Sequence, residues 1–280
     1  MKRSNKRIIP GFGLSMGVTV TLLSVIVLIP LASLVIFTAQ LSLGDIIAVI
    51  TRDRVLASFR VSFLTAFVAS LINAVMGVIL AWVLVRYDFP FKRILDGMIE
   101  LPFALPTAVA GIALTSLTAD KGIIGSFFAR FGIKIAYTRA GITVALVFIG
   151  IPFVVRAVQP VLEKLDGSLE EAASTLGASR SRTFRQVIFP EIMPAVFTGF
   201  GLAFGRCLGE YGSVVFIAGN QPFETEITPL IIMSELQEYD YASATAIALV
   251  MLAASFLILF LVNLIQVRNS KILRGGGKGA

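Results

Sequence analysis

Long apolar stretches alternate with short polar ones along this chain, and several approach the ~20 residues that a helix needs to cross a bilayer. The third apolar stretch begins with Pro102 and Pro106, so irregular backbone is expected at its start. In the fourth, Gly150 and Pro152 interrupt the pattern, and Arg156 is expected to mark the return to water. Six spans are predicted, over residues 14–37, 61–85, 101–118, 140–155, 192–205 and 241–267.

Three of these spans contain residues that a membrane helix accommodates poorly. Pro30 is expected to bend the first span, because proline removes a helical hydrogen bond. Asn73 lies in the middle of the second and is expected to find a partner on a neighbouring helix. In the fifth, only residues 192–205 are uncharged before Arg206 and Glu210. The fifth helix must therefore carry this pair into the bilayer or break beside it.

Residues 163–194 form the one long polar interval in the second half of the chain, and their pattern predicts two short helices outside the membrane. Ser168 and Glu171 have the spacing of a capping box, and Gly177 provides a left-handed stop. An apolar stripe recurs between them at helical spacing and requires a partner surface. The stripe consists of Leu169, Ala172, Ala173 and Leu176.

The second helix of this interval is expected to begin at Ser179 or Ser181 and to be closed by Pro190 and Pro194. Its basic residues alternate with apolar ones, which also resembles the second helix of a helix-turn-helix DNA-binding motif. The helix leads almost directly into the fifth span, so it has no tether for docking on a duplex. A socket for a protein partner is therefore favoured over nucleic-acid binding.

Composition and charge place the chain in a membrane. Its 280 residues are 56% hydrophobic, with a mean hydropathy of +0.89, which excludes an ordinary soluble domain. Lysine and arginine number sixteen on the side that holds both termini and loop 163–194, against seven on the other side. By the positive-inside rule, the sixteen-residue side is cytoplasmic. The acidic segment 224–240 then faces outward, where it could meet a binding protein.

The resulting organisation is an all-α polytopic membrane protein. Residues 1–13 are expected to form a cytoplasmic N-terminal segment, residues 14–268 the transmembrane domain with loop 163–194 within it, and residues 269–280 a flexible cytoplasmic tail. The single cysteine, Cys207, excludes an intrachain disulfide, and the chain contains no histidine. No metal site and no catalytic residue are predicted. The phosphate-binding pattern Gly-x-x-x-x-Gly-Lys-Ser/Thr does not occur, so any ATP hydrolysis must come from another subunit.

The fifth span carries the charges and the small residues that could serve a pathway. Arg206 and Glu210 share a helical face and can neutralise each other inside the bilayer, or Arg206 can line an anion path. A stripe of glycines allows a second backbone to approach closely. The stripe consists of Gly201, Gly205 and Gly209. At the start of the third span, exposed N–H groups near Pro102, Pro106 and Thr107 could hold an anion.

Several segments resemble those of a known transporter family. Glu171-Ala-Ala-x-x-x-Gly177, followed by Val187-Ile-Phe-Pro190, is similar to the EAA loop of ABC importer permeases. LPFALPTAVAG at 101–111, IPFVVRAVQP at 151–160, LGEYG at 208–212 and FIAGN at 216–220 extend the similarity over nearly the whole chain. Together they resemble the T-type subunits of sulfate/thiosulfate permeases.

This resemblance implies a six-span permease of type I importer architecture in a bacterial inner membrane. Loop 163–194 would be the coupling loop, with Glu171, Ala172, Ala173, Leu176, Gly177 and Pro190 contacting the ATPase. Implied partners are a W-type permease subunit, a dimer of ATP-binding subunits that hold ATP and Mg²⁺, and an extracytoplasmic sulfate/thiosulfate-binding protein. The lipid bilayer surrounds the complex, and neither nucleic acid nor a cofactor on this chain is implied.

Three alternatives remain at the level of sequence. Molybdate permeases share the Gly-Glu-aromatic-Gly element, so molybdate is the main alternative substrate. A secondary transporter or channel would need no ATPase. A membrane-anchored DNA-binding regulator would show salt-dependent binding to a duplex.

Overall fold

The computed structural model describes residues 12–275, and all regular secondary structure in that range is helical. Two of the helices contain a π-helical turn, at Ser24–Leu28 and at Phe184–Ile188. In chain order, the helices are α1 (Phe12–Thr38), α2 (Leu43–Ile50), α3 (Asp53–Arg86), α4 (Lys92–Ile99), α5 (Leu101–Ala104), α6 (Thr107–Thr118), α7 (Ile123–Ala129), α8 (Arg139–Lys164), α9 (Ser168–Thr175), α10 (Arg180–Leu208), α11 (Val214–Ile217), α12 (Thr228–Gln237) and α13 (Tyr241–Gly275).

The six predicted apolar stretches correspond to helices of this fold. Five helices, α1, α3, α8, α10 and α13, are long and apolar enough to cross a membrane. The pair α6 and α7, bent by 41° at a short break, would form a sixth span. The expected irregular start of the third span is also present, because α5 ends at Ala104 and α6 begins only at Thr107.

Several helices extend past the boundaries that the charges indicated. α8 continues through Pro152 and Arg156 to Lys164, so the helix extends nine residues past the predicted span end at residue 155. Val154, Val155 and Val158 around these positions are fully buried, and this packing offsets the hydrogen bond that proline removes. In α1, a π-helical turn ends at Leu28, two residues before Pro30. Helix α13 continues to Gly275, past the expected span end, and residues 1–11 and 276–280 of the predicted terminal segments lie outside the described residues.

The centre of the fold is a three-helix core of α3, α8 and α10. Val154 of α8 lies between a glycine of α3 and a glycine of α10. A Cβ at Gly77 would come within 2.6 Å of Val154 Cγ1, and one at Gly199 within 2.7 Å of Val154 Cα. The two glycines thus allow the backbones of all three helices to approach one another closely. By contrast, α1 buries little, with Leu14 77% exposed, as expected for a helix surrounded by lipid.

Asn73 lies in this core and contacts both neighbouring helices. It is fully buried, and a Cβ at Gly150 of α8 would lie 2.2 Å from its Nδ2 atom. Cys207 of α10 approaches the same point. Neither amide atom makes a hydrogen bond with the residues described. The predicted partner helix is therefore present, but the contact is one of packing.

Two carboxylates of the acidic segment 224–240 form ion pairs with arginines from the loop between the first two predicted spans. Arg54 donates to both carboxylate oxygens of Glu226, at 2.8 and 2.6 Å, and Arg52 Nη1 lies 3.3 Å from Glu235 Oε1. Asp240 accepts from the Ser243 N–H. The hydroxyl and N–H of Ser243 lower the pKa of Asp240. These contacts place the bases of that loop and the acidic segment at one end of the molecule.

Candidate functional site

Loop 163–194 contains the helix that the sequence predicted, but its start is built differently. α9 begins at Ser168, as expected, with Gly167 in the capping position and no side-chain cap. The capping box expected between Ser168 and Glu171 is absent. Asp166 Oδ1 accepts the Ser168 N–H at 3.0 Å instead, which orients the backbone before the first turn. Hydrogen bonding to Ser168 also lowers the pKa of the exposed Asp166 carboxyl.

The end of α9 follows the prediction closely. Gly177 has a φ of +79°, the left-handed conformation that glycine adopts without steric cost. Its N–H donates to Ser174 O at 2.9 Å, and the Ala178 N–H donates to Ala173 O at 3.0 Å. These two bonds make a Schellman motif, which satisfies carbonyls that the helix end would otherwise leave unpaired. A Cβ at Gly177 would meet no atom within 4 Å, so backbone conformation alone requires glycine within this chain.

The apolar stripe of α9 is mostly uncovered. Leu169 is 44% exposed and Leu176 is 87% exposed, whereas Ala173 is buried against the body of the protein. Ala172 and Glu171 lie at the surface. Large apolar side chains that lie exposed together on a surface are typical of sites that contact another molecule, so the stripe is a candidate docking surface.

The other face of α9 is attached to the C-terminal end of α3. Glu170 forms an ion pair with Arg86, and the Arg86 guanidinium lies over the Trp82 ring at 5.5 Å from its centroid. Trp82 in turn makes an edge-to-face contact with Phe184 of α10, at 5.3 Å between ring centroids. The loop is therefore fixed to two membrane helices, while Leu169, Ala172 and Leu176 of its stripe remain exposed.

The second half of the loop departs from the prediction. Ser179 caps the helix as expected by accepting the Arg182 N–H, but Pro190 and Pro194 do not close it. A π-helical turn lies between the loop and the span, where the Phe189 N–H donates to Phe184 O. The turn ends at Ile188, and Pro190 occupies the first turn of the α-helical segment that starts at Phe189, where a missing N–H is tolerated. α10 is thus one helix from loop to membrane.

Within the membrane region, α10 ends at Leu208 and residues 209–213, here called the helix break, carry the chain onward. Arg206 Nη1 lies 2.6 Å from Glu210 Oε2, so the predicted pair forms across the end of the helix. The other carboxylate oxygen, Oε1, accepts the Ser213 N–H at 2.8 Å and the Ser213 hydroxyl at 2.9 Å. The Glu210 side chain is 2% exposed and that of Arg206 is 34% exposed. The carboxylate is fully engaged, while part of the guanidinium remains accessible.

The helix break packs directly against the first half of α6. A Cβ at Gly212 would lie 2.1 Å from Thr107 Oγ1, and one at Gly111 would lie 2.4 Å from Ser213 O. Each element therefore supplies a glycine where the other comes closest. Pro106 is the exposed residue before α6, and Pro102 is in the first turn of α5. The fold thus brings the start of the third span and the end of the fifth together at one site.

The predicted glycine stripe faces α13 at ordinary distances. Cβ atoms at Gly201 and Gly205 would lie 3.7 and 3.6 Å from Leu259 side-chain carbons, and one at Gly209 would lie 3.9 Å from Gly205 O. None of the three positions requires glycine for packing within this chain. Gly205 and Gly209 border an open apolar cavity of about 400 Å³ between α10, α12 and α13.

Sequence reasoning missed the partners that complete both sites. Ser213 and Gly212 follow directly after the predicted Glu210, and Gly111 ends the segment already singled out at 101–111. The Arg86–Glu170 ion pair joins residues 84 positions apart, so no local pattern indicates it.

Cys207 is buried and donates to Leu146 O at 3.3 Å. Across residues 12–275, no group of three or more histidine, cysteine, aspartate or glutamate side chains could hold a metal ion.

Residues 73–271 match the family described as "Binding-protein-dependent transport system inner membrane component". The chain is 51% identical over 272 residues to the sulfate transport system permease protein CysT of Salmonella typhimurium, covering 97% of this chain and 98% of that protein. It is 47% identical over 249 residues to the protein of the same name from Synechocystis, covering 89% and 87% of the two chains.

Solved structures with the same fold are importers of other solutes. A bacterial ABC transporter for the acidic polysaccharide alginate superposes with a TM-score of 0.75 at 14% identity, covering 92% of this chain and 96% of that chain. An amino acid ABC transporter with bound histidines gives 0.53 at 19% identity, covering 76% and 92%. These likenesses show the fold.

Proposed function

Because this chain belongs to the family of binding-protein-dependent transport system inner membrane components, and so is a multi-pass ABC transporter permease, we propose that it forms the anion pathway of an ATP-driven sulfate importer. The observation that carries the choice of solute is the 51% identity over 97% of the chain to a sulfate permease. Thiosulfate, a dianion of similar shape, is the second substrate. Relatives named for sulfate favour this reading over molybdate, a secondary transporter or a DNA-binding regulator.

Loop 163–194 is proposed to receive a separate ATPase, since the chain has no phosphate-binding loop of its own. The contact would centre on the exposed stripe with Leu176, on Glu171 and Ala172, and on the turn at Gly177. Ala173 and Pro190 would hold these residues in place from the protein side. Two ATP-binding subunits would carry ATP and Mg²⁺, and closure of their dimer would move α9 together with the ends of α3 and α10.

The pathway is proposed to run beside the helix break. A W-type permease subunit would supply the opposite wall and would face the glycines of α10. The accessible part of Arg206 and the segment with Pro102, Pro106 and Thr107 would line the anion route. Because Glu210 already neutralises Arg206, the guanidinium would attract a dianion without gripping it.

The proposed setting is a bacterial inner membrane with both termini in the cytoplasm, and with residues 1–13 and 269–280 as cytoplasmic ends. The charge distribution supports this orientation. An extracytoplasmic sulfate/thiosulfate-binding protein would deliver the anion at the end that holds Arg52, Arg54 and segment 224–240.

The decisive experiment is ATPase activity of the complete complex in proteoliposomes, supplied with its binding protein. Sulfate is expected to stimulate hydrolysis and to accumulate inside the vesicles, and molybdate is not. Stimulation by molybdate alone would contradict the choice of solute. ATP hydrolysis by this chain without the ATP-binding subunits would contradict the assignment of ATP hydrolysis to a separate subunit.

Arg206→Ala tests the pathway assignment, with Arg206→Lys as the control that keeps the charge. A role in the pathway predicts that the alanine variant assembles but loses sulfate transport, while the lysine variant retains part of it. An alanine variant that fails to assemble would instead identify the Arg206–Glu210 pair as structural.

A further inference from the structure

Arg156, which the sequence placed at the edge of the membrane, lies at a junction of three helices. It sits within α8, eight residues before this helix ends at Lys164 and the loop to α9 begins. Its guanidinium is directed at the short helices α4 and α5. Nη1 lies 2.7 Å from Asp96 Oδ1, and Nη2 lies 2.8 Å from Glu100 Oε1 and 3.3 Å from Asp96 O. Nη1 also donates to Gln159 Oε1 on its own helix at 2.7 Å.

The two carboxylates depend on this one cation. Asp96 and Glu100 are four residues apart, so their charges would repel each other without Arg156. Glu100 is both the last cap of α4 and the residue from which α5 starts. A guanidinium that bridges both carboxylates therefore fixes the angle at which α4 turns into α5. We call Arg156, Asp96 and Glu100 the arginine latch.

Apolar contacts hold the same helices together but leave their register less specific. Leu95 and Ile99 of α4 pack in one cluster with Val155, Val158 and Leu162 of α8. Phe103 of α5 makes an edge-to-face contact with Phe153 of α8, at 5.2 Å between ring centroids. Such contacts are non-directional, whereas the latch has defined donor and acceptor positions.

The latch lies between the two sites described above. On one side, α8 leads into loop 163–194. On the other, α5 leads through Pro106 to α6, whose Thr107 covers Gly212 of the helix break. We propose that Arg156 is a positioning residue that transmits displacement of the loop, through Asp96 and Glu100, to the contact between α6 and the helix break. This proposal rests on the proposed function of an ATP-driven permease.

The test measures sulfate transported per ATP hydrolysed by the complete complex in proteoliposomes. Arg156→Gln is expected to lower this ratio about tenfold, since bonds from a charged donor are lost, while the ATPase stays bound. Arg156→Lys, which keeps the charge but cannot bridge two carboxylates equally well, is expected to fall between. The matched control is Arg93→Gln on α4, an exposed arginine that forms no ion pair with residues 12–275.

A second variant keeps the test decisive if Arg156→Gln fails to assemble. Asp96→Asn with Glu100→Gln removes the acceptor charges, and the proposal predicts the same fall in the ratio. Combining all three changes is expected to add little, because they break one interaction. A normal ratio in either assembled variant would overturn the latch. A wild-type complex that hydrolyses ATP but transports no sulfate would contradict the proposed substrate, not the proposed role of the arginine latch.

Discussion

Loop 163–194 and the helix break differ in what they leave uncovered. The loop exposes an apolar stripe, with Leu176 almost fully outside the protein. The helix break buries a carboxylate but supplies all of its partners from within the chain, through Arg206 and Ser213. The loop leaves apolar surface that no described residue covers, whereas the buried carboxylate of the helix break has all of its partners within the chain. Substitutions should therefore affect folding at the helix break and association at the loop.

The largest expected effect on the chain itself comes from Glu210→Ala. The change removes one ion pair and two hydrogen bonds and leaves a partly buried arginine unpaired, at a cost of about 3 kcal/mol. Thermal unfolding of the purified permease in detergent should show a clear decrease in midpoint. Glu238→Ala, at an exposed outer residue, is the control. An unchanged midpoint for Glu210→Ala would mean that the helix break is not held by this carboxylate.

Gly111→Ala should come next. The new Cβ would lie 2.4 Å from the backbone oxygen of Ser213, so α6 and the helix break would have to separate, at about 2 kcal/mol. Gly201→Ala is the matched control, because its Cβ would meet Leu259 at 3.7 Å and Val262 at 3.9 Å, which are ordinary contact distances. Equal losses of stability in the two variants would contradict the difference between a required glycine and a tolerated one.

Gly177→Asp is expected to have a smaller effect on the chain, about 1 kcal/mol, since a non-glycine residue must adopt a positive φ. Its main effect should be loss of ATPase binding, measured by co-purification, with membrane insertion intact. Gly177→Asn separates two causes, because asparagine tolerates this conformation better. If asparagine also abolishes binding, the partner needs the space and not only the turn.

Leu176→Ser should leave the stability of the chain within about 0.5 kcal/mol, because this side chain is already exposed. Association with the ATPase should nevertheless weaken markedly. Ser174→Ala, another exposed residue on α9 but off the stripe, should bind normally. A Leu176→Ser chain that binds the ATPase as well as wild type would remove the basis for treating the stripe as a docking surface.

The sequence was informative where a local pattern determines the structure. Hydropathy located all six apolar segments, and Gly177 marked the end of α9 because a left-handed stop depends on one residue. The capping box failed because Asp166, two residues before Ser168, accepts the N–H that the box would have ordered. The predicted end of the fourth span at residue 155 falls short of the helix end at Lys164, because Arg156 lies within the helix and pairs with Asp96 and Glu100. Long-range pairs such as Arg86 with Glu170 have no local signal at all.

The π-helical turn at Phe184–Ile188 sets the rotational phase of everything after it in α10. An α-helix advances about 100° per residue, so the extra residue of a π turn rotates the rest of the helix by about that angle. Gly199 faces Val154 of α8, and Gly212 of the helix break faces Thr107 of α6, only in this phase. Deleting one residue at Gln186 would leave composition and length almost unchanged but would turn both away from their partners. The π-helical turn therefore sets the rotation of the rest of α10, and of the helix break that follows it, relative to α9.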